Sequence, residues 1–404
     1  MRTRLSGGVG GARWSVTIAP YPDCMDASIP RAPGCGVAFA TVTAAAAAFT
    51  VVSCCGIRTD RGSRSAVVDP KKNLWGPESG IANREDTQRS LLRYVKKLGN
   101  PVPQRAADGT LWLFYVTVSL GGWAGSSISA ITSADDGASW SPPQRLVTSP
   151  FINISTLVKG TPFLYSDGTM GLPVYHEFIG KFGEILRIRT SGRSGQIIDK
   201  QRLSSGKTTL QPIVLIRDPQ QALVLMRRSG SSAKRVIATS SADAGRHWSM
   251  PTATVLANPD AAISGVVLPD GRMLVALNDI EEGREALSLV LSADGGATWK
   301  RIYQLEDQRG QPADAEHYLQ TAAALAKATE PDIADPAAYA ISAQHHECEA
   351  QGCRYEFSYP YMLQAKSGDI HLVYTWNRSF IKHVQFTTAW LDQQIAKAGD
   401  GELQ

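Results

Sequence analysis

Beyond residue 56 the chain has only two cysteines, Cys348 and Cys353; the other four of its six are Cys24, Cys35, Cys54 and Cys55. That scarcity excludes a small scaffold stapled by disulfides. The spacing of Cys348 and Cys353 allows one small disulfide loop, which suits an oxidising compartment. A zinc site would need more ligands than these two with the neighbouring His345 and His346, so no metal and no cofactor is expected. Long basic runs are missing as well. With 41 Lys and Arg against 37 Asp and Glu, the net charge is only +4, and nucleic acid is not implied as a partner. A mildly basic surface is compatible with an acidic oligo- or polysaccharide.

Charge disappears altogether from Ala32 to Ile57, and Val37 to Val52 is apolar and rich in alanine. The stretch is short for a spanning helix and right for the apolar region of a secretory signal. It ends Val51-Val52-Ser53-Cys54, the form of a bacterial lipoprotein signal, in which the cysteine is lipidated. A start at Met25 would give the preceding segment an ordinary length, with Arg31 as its positive charge. An uncleaved anchor helix is the alternative. Residues 1–60 are therefore read as an N-terminal extension with a signal or anchor segment. The expected protein is exported, periplasmic or at the cell surface, and meets a membrane only through that anchor or through lipid on Cys54.

Three stretches are near-copies of one another: Ser133 to Trp140, Ser241 to Trp248 and Ser292 to Trp299, each with the pattern S-x-D-x-G-x-x-W. Asp can hydrogen-bond its own backbone to shape a turn, Gly supplies positive φ, and Trp packs the turn onto its neighbour. The starts at 133, 241 and 292 differ by 108 and 51, so a worn copy is expected near residue 190; there Ser191 and Gly195 survive without the Asp and Trp. In phase with these boxes, Asp108-Gly109, Asp167-Gly168, Asp270-Gly271 and the variant Gly368-Asp369 divide apolar, strand-like runs. Each unit of roughly 50 residues thus reads as four antiparallel strands, which is a propeller blade. Five units are visible, and a sixth is expected from residues 65–98 with the C-terminal tail. The fold predicted is an all-β, six-bladed β-propeller of four-stranded blades over residues 65–395. The Ala-rich segment 306–350 is read as an insertion, either a lid or a structureless loop.

In a blade of this order the two kinds of turn share one end. The start of the first strand, the end of the second and the loop after it share the other, and binding sites on rigid scaffolds sit on such loop faces. That face collects polar residues next to prolines, at Asn100, Ser149, Gln211, Asn258 and Tyr359, together with Trp123, Tyr175, His176, Glu177, Lys181, Arg227, Arg228, Asn278, Asp279, Arg284, Tyr374, Trp376, Arg378, Lys382 and His383.

The tandem boxes resemble the Asp boxes of the sialidase (neuraminidase) superfamily over about residues 95–390. The stretch Glu356-Phe-Ser-Tyr359-Pro to Tyr374 looks like the last sialidase blade, where a Tyr opens the inner strand and acts as nucleophile. The resemblance implies an exo-acting glycosidase with Tyr359 as nucleophile. A phenol with a pKa near 10 needs a neighbouring carboxylate to take its proton. Glu177 is the first choice for that role, with Glu356 and Asp279 behind it and His176 as an alternative acid. Arg227, Arg284 and Arg378 supply a bidentate grip on a substrate carboxylate. Arg228, Lys382, Asn100, Gln211, Asn258, Asn278, Trp123 and Trp376 complete the expected binding residues. The Arg-Ile-Pro signature of sialidases is replaced by Asn100-Pro101-Val102-Pro103, so the sugar is read as sialic acid or a related uronate. A polysaccharide lyase using Tyr359 and His176, and a glycan-binding propeller without catalysis, are the other readings.

Overall fold

The computed structural model describes residues 13–15, 39–45, 48–54, 63–69, 74–75 and, from 79 to 399, all but 150–152, 206, 231–233, 312–314, 330–333, 345–347, 350–351, 354 and 378–379. It is an all-β propeller of antiparallel blades. Among the described residues five blades follow one another between residues 97 and 386, against the six expected. The first consists of Lys97–Arg105, Leu111–Ser119, Gly122–Ser133 and Gln144–Arg145. In the second, Leu157–Val158 and Phe163–Leu164 together form the inner strand, followed by Met170–His176, Phe182–Ser191 and Ser194–Arg202. Thr209–Ile216, Ala222–Arg228, Arg235–Ser241 and Thr252–Ala257 make the third, and Ser264–Val267, Met273–Leu277, Ala286–Ser292 and Lys300–Asp307 the fourth. The fifth takes Phe357–Gln364, Ile370–Trp376 and Phe380–Phe386, and its outer strand is Arg13–Ser15 from the N-terminal region.

The expected unit from 65–98 and the tail does not form. Residues 84–91 are a helix capped by Asn83, and the tail is a second helix, Thr388–Lys397, capped by Thr387. Trp390 of that helix packs on Tyr303 and Phe386 with ring centroids 4.9 and 5.0 Å apart. A further antiparallel sheet is instead drawn from Phe39–Ala45, Ala48–Cys54, Ser63–Asp69, Leu74–Trp75 and Ser79–Ala82. Its strand Phe39–Ala45 lies against the inner strands of the first and fifth blades. The uncharged run expected as a signal thus supplies a hairpin here, and no helix among the described residues is long and apolar enough to cross a membrane.

Second strands carry the core. All nine residues of Leu111–Ser119 are buried, and Met273–Leu277 is buried throughout. Strands covered on both faces by neighbouring blades read as continuous apolar runs for that reason. The boxes behave as their composition requires. Ser133 Oγ donates to Asp135 (2.7 Å) and accepts from the Gly137 N–H (2.8 Å), while Asp135 accepts from the Ser139 N–H (2.8 Å). The boxes at Asp243 and Asp294 repeat these bonds, with the turn glycines at φ 79 to 95°. The worn copy is different. Gly192, at φ 55°, makes a tight turn between Ser191 and Ser194. Gly195 has another purpose, since a Cβ there would lie 3.0 Å from the Trp112 ring of the first blade.

The insertion is helical, with Ala315–Thr329 and Pro336–Gln344, and begins after the strand ending at Asp307. Buried Tyr318 donates to the Asn377 carbonyl (3.3 Å), which fastens the insertion to the loop end of the fifth blade. Strand pairing sets Cys348 opposite Cys353, a backbone register open to a disulfide.

Two predictions follow from the boxes. Trp299 is 1 % exposed, whereas Trp140 and Trp248 are half-buried. Trp299→Ala should cost about 3–5 kcal/mol in urea unfolding and either of the others clearly less, while equal losses would contradict the packing argument. Hydrogen bonds from Ser139 and Thr298 hold the Asp135 and Asp294 carboxyls down to about 2, and bonds from His247 hold Asp243 lower still. A depressed carboxyl stabilises above its unfolded value and loses that contribution as pH falls towards the folded one. Thermal unfolding should therefore show Tm dropping between about pH 4 and 2, less steeply when the three aspartates are changed to Asn.

Candidate functional site

The inner strands do not start straight. Pairing slips between Gly99 and Val102, between Leu210 and Ile213, and between Ser358 and Tyr361. At each slip one polar residue takes the left-handed region: Asn100 at φ 49°, Gln211 at 52° and Tyr359 at 54°. Ser155 and Asp260, both at φ 61°, precede the inner strands of the second and fourth blades in the same way. Left-handed backbone disfavours a residue with a Cβ by about 1–2 kcal/mol and persists where the surroundings over-determine it. Here each such turn lifts a polar side chain towards the place where the blades meet.

A continuous chain of contacts joins them. Asn100 and Gln211 each donate to the Tyr175 hydroxyl (3.2 and 3.5 Å). Gln211 also accepts from Arg227 (3.1 Å), whose Nε donates to the Asp260 carboxylate (2.6 Å). The Asp260 carbonyl accepts from Arg284 (3.1 Å), which pairs with Glu356 (3.0 Å). The guanidinium of Arg284 lies 5.8 Å from the Tyr359 ring centre. Five blades thus contribute to one cluster, with Tyr359, Arg227, Arg284, Asp260 and Glu177 half-exposed above a floor of Asn100, Gln211, Tyr175 and Glu356.

Glu177 enters from the second blade. Ser155 Oγ accepts from the N–H groups of Glu177 and Phe178 (2.9 and 2.8 Å) and so fixes that loop. No hydrogen bond among the described residues takes up the Glu177 carboxylate. Burial raises its pKa, with Arg227 and Lys181 opposing. Burial also raises that of Tyr175, which feels the charges of Glu177, Arg227 and Tyr359. A carboxylate, a phenol and two guanidiniums are therefore grouped around Tyr175 and Asp260.

Other expected residues are held elsewhere. His176 points to the opposite side of its strand from Tyr175, where it pairs with Glu184 (3.2 Å) and stacks on Phe182 at 4.3 Å. The Asp279 carboxylate is spent on Arg301 (2.6 Å), and Lys382 on Glu306. Arg228 lies next to Arg227 on the strand, on its other side, with Nε buried and unbonded. Asn258 closes its own loop by bonding both backbone groups of Ala261. Asn278 is a tie between blades, donating to the carbonyls of Ala286 and Phe357 (2.7 and 2.8 Å). Trp123 lies under the Lys97 ammonium at 4.5 Å and against Gly99, beside Asn100. Trp376 packs on Phe357 with ring centres 6.4 Å apart. Arg378 lies outside the described residues, as do His345 and His346.

Sequence reasoning missed Asp260, the junction of both arginines. In that blade the proline follows Asn258, and the left-handed residue comes after the proline rather than before it. Lys159 was missed too, since it directly follows a two-residue strand that no turn signal announces.

A model of the BNR repeat-like domain matches residues 60–372. No curated protein matches the chain. Solved structures do, at low identity. The Hadza microbial sialidase Hz136 is 16% identical, with TM-score 0.62, and the match covers 88% of this chain and 66% of that one, so this chain spans about two thirds of its length. The intramolecular trans-sialidase from Ruminococcus gnavus, solved with oseltamivir carboxylate, is 11% identical, with TM-score 0.60 over 93% of this chain and 98% of that one. The Trypanosoma rangeli sialidase, solved as a covalent intermediate with 2,3-difluorosialic acid, is 12% identical, with TM-score 0.60 over 98% of this chain and 60% of that one.

Removing the junction tests the cluster. Asp260→Ala leaves Arg227 half-buried without its carboxylate and should lower stability by about 1–3 kcal/mol in denaturant, with the Arg227→Ala, Asp260→Ala double variant recovering part of the loss. Strict additivity would show that the two side chains do not interact.

Proposed function

The chain belongs to the BNR repeat-like family and has the propeller fold of the sialidases, and from that premise we propose that it is a retaining exo-glycoside hydrolase acting on an acidic sugar, sialic acid or a related uronate. The observation that carries this reading is the meeting of Tyr359, Glu177, Arg227 and Arg284 in one cluster. Arg227 and Arg284 come from adjacent blades and share Asp260, a spacing that suits a carboxylate laid between two guanidiniums. Tyr359 Oη attacks the anomeric carbon as the bond to the leaving oxygen breaks. Asp260 and Glu356 are each tied to an arginine, so the phenolic proton passes to Glu177, while solvent protonates the leaving oxygen. Water then attacks the same carbon and gives up a proton to solvent, which restores the one spent on the leaving oxygen, while the bond to Tyr359 breaks and Glu177 returns its proton to the phenolate. A nucleophile that is neutral at rest avoids repulsion by the substrate carboxylate. The Trypanosoma rangeli structure, described as a covalent intermediate, supports the same type of chemistry for this fold. The lyase reading needs His176 beside Tyr359 and loses support from the His176–Glu184 pair.

Export belongs to the same reading, since an acidic glycan substrate lies outside the cell. It rests on the uncharged run 32–57. Cleavage before Cys54 would remove Phe39–Ala45 and most of Ala48–Cys54, so leader and sheet are competing uses of one segment. Mass spectrometry of the mature N-terminus distinguishes them.

Tyr359→Phe should abolish release of a fluorescent phenol from an aryl sialoside or aryl uronide while leaving binding intact; a retained rate removes Tyr359 from the mechanism. Arg227→Ala should weaken an acidic ligand by about 2–4 kcal/mol, and unchanged affinity places Arg227 outside the binding surface. Glu177 works as a base only when ionised, and burial raises its pKa. The acid limb of kcat/KM should therefore lie above the ordinary Glu value of about 4.3, and Glu177→Gln should remove it.

A further inference from the structure

Below the cluster lies a cation that this mechanism does not use. Lys159 is 4 % exposed and follows the short inner strand Leu157–Val158 of the second blade. Its ammonium reaches across the centre of the molecule. It donates to the carbonyl of Pro360 (2.7 Å), the residue after Tyr359, and to that of Ile263 (3.3 Å), just before the inner strand of the fourth blade. Two of its three N–H groups are thus used, and both partners are neutral.

That makes it unlike its neighbours. Arg227 has Asp260, Arg284 has Glu356, and Lys181 lies beside Glu177. No carboxylate among the described residues is bonded to Lys159. Burying an ammonium without a counter-charge is costly unless something supplies the missing negative charge. The ionisable groups next to it are Tyr361, whose ring centre is 6.0 Å away, and Arg227 on the third blade; the two segments that its bonds reach also carry Tyr359, just before Pro360, and Asp260, three residues before Ile263. Of these Asp260 is taken by Arg227, and Arg227 itself repels the ammonium.

We propose that Lys159 is the buried counter-cation for the ligand's acid group, and that it takes up a proton from solvent when a carboxylate settles between Arg227 and Arg284. The inference rests on the acidic-ligand reading given above. Burial, with Arg227, brings the Lys159 ammonium down to about 7, so amine and ammonium are both populated near neutrality before a ligand arrives. A bound anion favours the ammonium, and by linkage the ammonium favours the anion. The sign follows directly. Below about pH 6 Lys159 is already protonated and binding moves no proton; near pH 8 it is mostly neutral and binding draws one in, so affinity for an acidic ligand falls as pH rises through this window.

The test is calorimetry on the full chain with N-acetylneuraminic acid and with glucuronate, each against its methyl ester. Measuring in two buffers of different ionisation enthalpy counts the protons taken up. At about pH 8 the wild type should take up nearly one proton with the acid and none with the ester, and at about pH 5.5 none through Lys159. Lys159→Gln keeps donors for the two carbonyls without the charge, and should lose the uptake together with about tenfold or more in affinity for the acid at about pH 6, with the ester unaffected. Three results would overturn the inference: binding of the acid at about pH 8 with no proton taken up, uptake unchanged in Lys159→Gln, or uptake abolished by Glu177→Gln alone. Should Lys159→Gln fail to fold, the wild-type pH series still decides, because uptake by Glu177 would be largest on the acid side and uptake by Lys159 on the alkaline side. If the wild type binds neither acid, the acidic-ligand reading itself fails, an outcome distinct from binding without proton uptake.

Discussion

Asp260 is the contact on which the cluster depends. Its carboxylate accepts from Arg227 and its carbonyl from Arg284, so one residue holds two guanidiniums on facing edges of adjacent blades. Two cations brought together in a partly desolvated space repel strongly unless a counter-charge lies between or beside them. Asp260 and Glu356 provide it, and the left-handed turn at Asp260 is what lets a short side chain reach Arg227 while its carbonyl faces the other way. The same local device at Asn100, Gln211 and Tyr359 lifts each polar group clear of its strand. The backbone strain is therefore distributed around the centre, one residue per blade, and the surrounding sheets hold it in place.

Scaffold and chemistry occupy opposite ends of the blades. At one end the boxes close on themselves through Ser, Asp and Gly, and their aspartates spend their charge on local donors. They stiffen the three blades that carry them and leave nothing over for a ligand. At the other end the loops leave groups unspent: the Glu177 carboxylate, and a lysine ammonium bonded only to carbonyls. The helical insertion reaches this end as well, through Tyr318 and the Asn377 carbonyl. Asn377 in turn bonds both backbone groups of Glu356, which places the partner of Arg284.

Much of the architecture was legible because it is local. A box or an Asp-Gly turn is a few residues satisfying one another, and the strands between them are apolar runs that any buried sheet requires. Tyr359, Arg227, Arg284 and Glu177 could be read as one constellation because each lies at or beyond a recognisable strand end on the same face. His176, Asp279 and Lys382 look equally good in the sequence, yet Glu184, Arg301 and Glu306 on neighbouring strands take them up. Gly195 shows the same limit, since its reason for being small is a tryptophan in another blade.

The sequence alone determined the repeat, the turn chemistry and which end of each blade carries polar loops, because hydrogen bonds inside eight or so residues need no distant partner. Only the tertiary structure decided which charges are spent and which are left. A carboxylate or an ammonium is silenced by whatever lies across the sheet or across the axis, and that neighbour is tens to hundreds of residues away: Asp260 for Arg227, Glu356 for Arg284, and two bare carbonyls for Lys159.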